Sequence, residues 1–156
     1  MNSSCSDESS KQEYEPANGD SVIVNSSTAR KGLDVEPRLK QADSLQILYF
    51  DDPDGDSSRY TRYYRYISSR DSYHIGQILA DLSQPFEQRN DIKNCRSEGK
   101  IYMYGGKEPL KTIYFSTRCD SCCYLYFIKD GNFLYFPLSD KMNSLLKESK
   151  RGSQRP

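Results

Sequence analysis

Twelve of the thirteen tyrosines and all six phenylalanines of this 156-residue chain fall between residues 44 and 148. Folding needs buried apolar area, and large side chains supply most of it. The core must therefore come from that central stretch of roughly 105 residues, a size at which one small domain folds unaided. Residues 1–43 hold one aromatic, Tyr14, among Ser, Asn, Asp, Glu and Lys, with eight acidic against five basic side chains. A segment so poor in large apolar residues cannot offset the entropy of ordering itself. It reads as a disordered tail or tether. The short run Ser21-Val22-Ile23-Val24 suits a strand or a linear motif, but the tail reading takes precedence. Residues 149–156, Ser-Lys-Arg-Gly-Ser-Gln-Arg-Pro, read as a frayed basic end.

Basic and acidic side chains balance at 22 each. A general nucleic-acid binder carries a basic surplus, so no nucleic-acid partner is expected. No apolar run approaches the roughly 18 residues of a membrane-spanning helix. From Leu110 onward there are eight basic and four acidic residues, so the two ends of the chain differ in sign.

The central stretch alternates between strand and helix periodicity. Leu45-Gln46-Ile47-Leu48-Tyr49-Phe50 has strand length. Asp51–Ser58 is turn chemistry, and Arg59–Ile67 alternates again, which together predict a hairpin. Ile75, Ile78, Leu79 and Leu82 mark one face of a helix, capped by Asp71 or Ser72 and stopped by Pro85. Strands are then expected over Lys100–Tyr104, Thr112–Thr117, Cys122–Ile128 and Asn132–Phe136, the last two joined at Asp130-Gly131. A final helix carries Met142, Leu145 and Leu146 behind a cap at Ser139 or Asp140. The order β-β-α-β-β-β-β-α predicts an α+β domain over residues 44–148. Its antiparallel sheet of five to six strands carries two helices on one face.

Tyrosine suits a sheet with one covered and one wet face, because its body is apolar and its tip polar. In the Arg59–Ile67 run, Tyr60, Arg62, Tyr64 and Tyr66 share one strand face. Tyr and Arg are enriched at interface hot spots, so these four residues are the candidate partner face. Interleaved Tyr and Arg also stack bases, but the acidic loop Asp51–Asp56 beside them would repel phosphate.

Four cysteines lie in the expected domain: Cys95, Cys119, Cys122 and Cys123. Three chemistries fit them. Two disulfides would staple a small exported domain. Zinc would use the CxxC of Cys119 and Cys122, completed by Cys95, Cys123 or His74. Buried free thiols would act as small apolar groups. Adjacent Cys122 and Cys123 on a strand point to opposite faces. A redox CxxC belongs at a helix N-terminus, and this one precedes a strand.

The fifth cysteine, Cys5, has a different setting. Met1-Asn2-Ser3-Ser4-Cys5-Ser6-Asp7 resembles the start of a mature bacterial lipoprotein: small residues before a Cys, then a polar stretch. The resemblance covers only these few residues. It implies a lipid anchor at Cys5, a polar tether behind it and an address in the cell envelope or periplasm. Without it, a cytoplasmic protein is expected.

Asp52, Asp54 and Asp56 alternate like cation ligands. However, Ser57 and Tyr63 stand where a calcium loop needs Gly and Glu, so no metal is assigned. His74, the only histidine, reads as a capping or surface residue. Gly105-Gly106-Lys107 is a turn rather than a phosphate loop. No nucleophile elbow, dinucleotide fingerprint or HExxH motif occurs. The expectation is a non-enzymatic protein-binding domain without a cofactor. Concretely, that is an effector-neutralising immunity protein meeting a secreted toxin, or a small envelope lipoprotein. The alternatives are a zinc-stabilised cytosolic adaptor and a small cysteine-dependent enzyme.

Overall fold

A computed structural model describes residues 29–55 and 64–156. Cys5, the run 21–24, Asp56, Tyr60 and Arg62 lie outside the described residues. Seven strands are present among the described residues: β1 (Ser44–Phe50), β2 (Tyr64–Ser69), β3 (Glu87–Arg89), β4 (Gly99–Gly105), β5 (Glu108–Arg118), β6 (Cys122–Lys129) and β7 (Asn132–Phe136). They form one antiparallel sheet in the order β2-β1-β4-β5-β6-β7-β3. Three helices accompany it: α1 (Gly32–Val35), α2 (Ser72–Leu82) and α3 (Asp140–Arg151), with a 3-10 turn over Pro37–Gln41. The domain is α+β, as expected, with one strand and one short helix more than the periodicity predicts. The extra strand, β3, pairs with β7 from Glu87↔Tyr135 to Arg89↔Phe133. Its residues are Glu, Gln and Arg, so no apolar alternation announces it.

Local signals act as written. Asp71 caps α2 by accepting the Tyr73 N–H at 2.8 Å, and Ser139 caps α3 by accepting the Met142 N–H at 3.1 Å. Between β6 and β7, Lys129 pairs with Asn132 across Asp130 and Gly131, at φ 51° and 76°. Two positive φ values in a two-residue loop match the twist of the flanking strands, which explains Asp-Gly there.

Both ends depart from expectation. Residues 29–43 do not behave as tail: Leu39 is fully buried, and Lys31 bridges to Pro85. Gly32 sits so close that an added Cβ would lie 2.5 Å from the Leu82 carbonyl and the Phe136 ring. Two such contacts close one end of the core while leaving the composition polar. At the other end, α3 runs on through Arg151, and Ser149 and Ser153 are buried. Gln154 exchanges two backbone hydrogen bonds with Tyr66, at 2.8 and 3.0 Å. The frayed end is instead captured by the unpaired outer edge of β2.

The helices lie on one face. Ile75, Ile78 and Leu82 of α2, Met142, Leu145 and Leu146 of α3, and Leu39 form one core with the inward strand residues. Those are Leu45, Ile47, Tyr49, Ile101, Met103, Ile113, Phe115, Leu125, Phe127, Leu134 and Phe136. The period of two sends the intervening residues to the opposite face, which is helix-free among the described residues.

Candidate functional site

The helix-free face is tyrosine-rich from edge to edge. Strand register aligns Tyr66, Leu48, Lys100, Tyr114, Tyr126 and Tyr135 in one row across six strands. Tyr114 stacks on Tyr126 with ring centroids 4.8 Å apart, and Tyr126 meets Tyr135 at 4.9 Å. Tyr124 packs edge-on against Tyr135 at 5.2 Å. Offset and edge-on pairs at these distances add to the stability that burial gives.

A strap over residues 90–98 covers one half of this face. The Tyr124 hydroxyl donates to the Cys95 carbonyl at 2.9 Å, and the Lys93 N–H donates to the Tyr135 hydroxyl at 2.9 Å. The Lys93 ammonium stands 4.7 Å above the Tyr135 ring. Burial holds the Tyr135 phenol above the ordinary tyrosine range. Cys95 and Cys122 lie at disulfide-bonding distance, with Cα atoms 6.4 Å apart. The strap is also tied to the β1–β2 connection. Arg118 pairs with Asp54 at 2.7 Å and donates to the Arg96 carbonyl at 2.8 Å, and Arg96 donates to the Gly55 carbonyl.

Among the described residues no second strap crosses the other half, although Leu48 and Phe50 on it are buried at 7 % and 3 % exposure. Tyr66, Tyr102, Tyr104 and Lys100 are half-buried there, and Ile128 is 42 % exposed, whereas Tyr114 packs with Cys95 and Tyr126 beside the strap. Lys100 stands 5.0 Å from the Tyr102 ring, and Tyr102 neighbours Tyr104 at 6.5 Å. This surface offers flat apolar area, phenolic donors and one ammonium. Tyrosine is among the side chains enriched at the cores of protein interfaces.

Of the sequence-predicted face, Tyr64 and Tyr66 lie here, opposite Phe50 and Leu48 of β1. Sequence reading missed Tyr102, Tyr104, Tyr114 and Lys100. Their alternation was visible, but not which side the helices would leave open. The cysteines are drawn together in two pairs: Cys95 with Cys122, and Cys119 with Cys123, whose Cα atoms are 4.3 Å apart. Both pairs are compatible with disulfide bonds. Cys122 is buried among the tyrosines, whereas Cys119 lies toward α3, with its Sγ 3.5 Å from Asn143 Nδ2. His74 is bound up elsewhere, its Nδ1 3.0 Å from the Ser69 Oγ. Among the described residues no group of three or more His, Cys, Asp or Glu is placed to hold a metal ion. No helix among them is long and apolar enough to cross a membrane.

Comparison of the chain with known protein families, curated proteins and solved structures finds no match. The site therefore has to be read from its own geometry.

Proposed function

We propose that this is a non-enzymatic binding protein whose helix-free sheet face holds a protein partner. The observation behind this reading is the surface of half-buried Tyr66, Tyr102 and Tyr104 beside exposed Ile128. Sheets with one solvated face ordinarily carry polar side chains there. Tyrosine adds large, rigid contact area at low entropic cost, as interface centres do.

In its concrete form the proposal is an exported protein of the cell envelope or periplasm. It would be an immunity protein that covers the active site of a secreted toxin or effector, or a small lipoprotein anchored through Cys5. Steric cover needs no catalytic group, in keeping with a sequence that carries no catalytic motif. Two cysteine pairs at bonding distance suit an oxidising compartment. The residues around Cys5 supply the anchor argument.

The test is site-specific photo-crosslinking in cells of the source organism. A photoreactive residue at position 102 should capture a discrete partner. The same residue at 73, where Tyr73 is 57 % exposed on α2, should not. With the partner in hand, Tyr102→Ala should cost about 2 kcal/mol of binding, as hot-spot tyrosines do. Equal capture from both positions, or unchanged affinity, would remove the face from consideration.

A further inference from the structure

On the opposite side of the sheet, α3 and the ends of β1, β2 and β5 line a half-open cleft of about 490 Å3. Arg65, Lys147, Lys150 and Arg151 line it, with Glu98 in the wall and Tyr49 in the floor. Four cations thus face one carboxylate. Glu98 is already engaged, since its Oε2 accepts from the Thr117 hydroxyl at 2.8 Å and from the Thr117 N–H. Among the described residues none of the four cations forms an ion pair. Lys150 stands 6.0 Å above the Tyr49 ring.

Chance placement does not account for this well. The chain as a whole is charge-balanced, and α3 has acids of its own. Those acids, Asp140 and Glu148, line a different groove, the one beside His74. The partial negative charge at a helix C-terminus favours Lys150 and Arg151 in the last turn of α3. It does not explain why Arg65 lines the same cleft from β2, or why Lys147 stands one turn earlier. Like charges brought together in a concave space repel one another, and an anion seated between them relieves that repulsion. The volume is that of a small-molecule site.

We infer that this cleft binds a small polyanion with closely spaced oxyanions, a phosphoryl or polycarboxylate compound, held by Arg65, Lys147, Lys150 and Arg151. Arg65 and Arg151 supply forked donors that match oxyanion geometry, and the two lysines supply point charges. The site lies away from the tyrosine face and does not depend on its role.

Calorimetric titration of the full chain at low salt with pyrophosphate, and separately with citrate, tests the proposal. One saturable site is expected for at least one of them, weakened by added salt. Whichever probe binds identifies the oxyanion. Lys147→Gln combined with Arg151→Gln, both exposed positions, should weaken binding about tenfold or more, because each removes a charge-assisted contact. Lys40→Gln combined with Lys107→Gln removes equal charge near the Gly105 end of β4 and should leave binding unchanged. Absence of saturable binding to the unaltered chain, or equal weakening in both double variants, would overturn the assignment.

Discussion

Cys122 and Cys123 are consecutive, yet they serve opposite faces of the sheet. Cys122 is 7 % exposed among Tyr124, Tyr126 and Tyr135 and meets Cys95 from the strap. Cys123 projects toward the α3 side and meets Cys119 from the β5–β6 turn. Strand alternation alone separates them. A bond in the first pair would fasten the strap across the tyrosine face, and one in the second would close a turn.

The two links should differ in weight. Cys95 and Cys122 are 27 residues apart, whereas Cys119 and Cys123 are four apart. In the chain-entropy account the longer loop contributes about 3.5 kcal/mol and the shorter about 2 kcal/mol. Urea unfolding under non-reducing conditions should therefore show Cys95→Ser to be the costlier change. Equal losses for Cys95→Ser and Cys119→Ser would contradict this. Tyr124 and Tyr126 should also become more accessible to solvent in the Cys95→Ser variant.

Gly32 tests whether the segment before Ser44 belongs to the fold. A methyl group there would press on the Leu82 carbonyl and the Phe136 ring, both 2.5 Å away. Gly32→Ala should destabilise by about 1–3 kcal/mol through overpacking. If residues 29–43 were only a tether, the substitution would leave the urea midpoint unchanged.

Tyr49 is buried, and its hydroxyl donates to the Leu146 carbonyl at 2.7 Å. Tyr49→Phe should cost about 1 kcal/mol. Burial also pushes this phenol well above the ordinary tyrosine value near 10. The folded state holds that proton more tightly than the unfolded state does. The contribution is thus complete below about pH 10 and is lost as pH rises beyond it. The alkaline decline in stability should be shallower in Tyr49→Phe than in the parent chain.

The pairing of Gln154 with Tyr66 covers part of the outer edge of β2. Truncation after Gly152 would uncover those backbone groups, and an unpaired edge is a template for another chain. Light scattering after size exclusion should show concentration-dependent self-association in the truncated protein. A strictly monomeric truncation product would show that the edge is protected by something other than Gln154.

Much of this architecture is written in local sequence. The alternation of Leu45, Ile47 and Tyr49, the 3.6-residue spacing of Ile75, Ile78 and Leu82, and the turn at Asp130-Gly131 each mark an element, because period and turn chemistry are short-range properties. The caps at Asp71 and Ser139 belong to the same class. β3 was not legible, because Glu87, Gln88 and Arg89 become a strand only by pairing with β7. The packing of Leu39 and the capture of Gln154 were hidden for the same reason: each depends on a partner tens of residues away.

The sequence by itself determined that the chain would build a tyrosine-rich antiparallel sheet with helices on one face, and that Cys122 and Cys123 would part company. The tertiary structure decided which face the helices cover, and therefore which tyrosines form the open surface. It also decided which cysteine each of the pair would meet, and that Arg65 would converge with three cations of α3. Periodicity specifies that a strand has two sides. Only packing, in which α2 and α3 bury their apolar stripes against one of them, selects the side that the two helices leave uncovered.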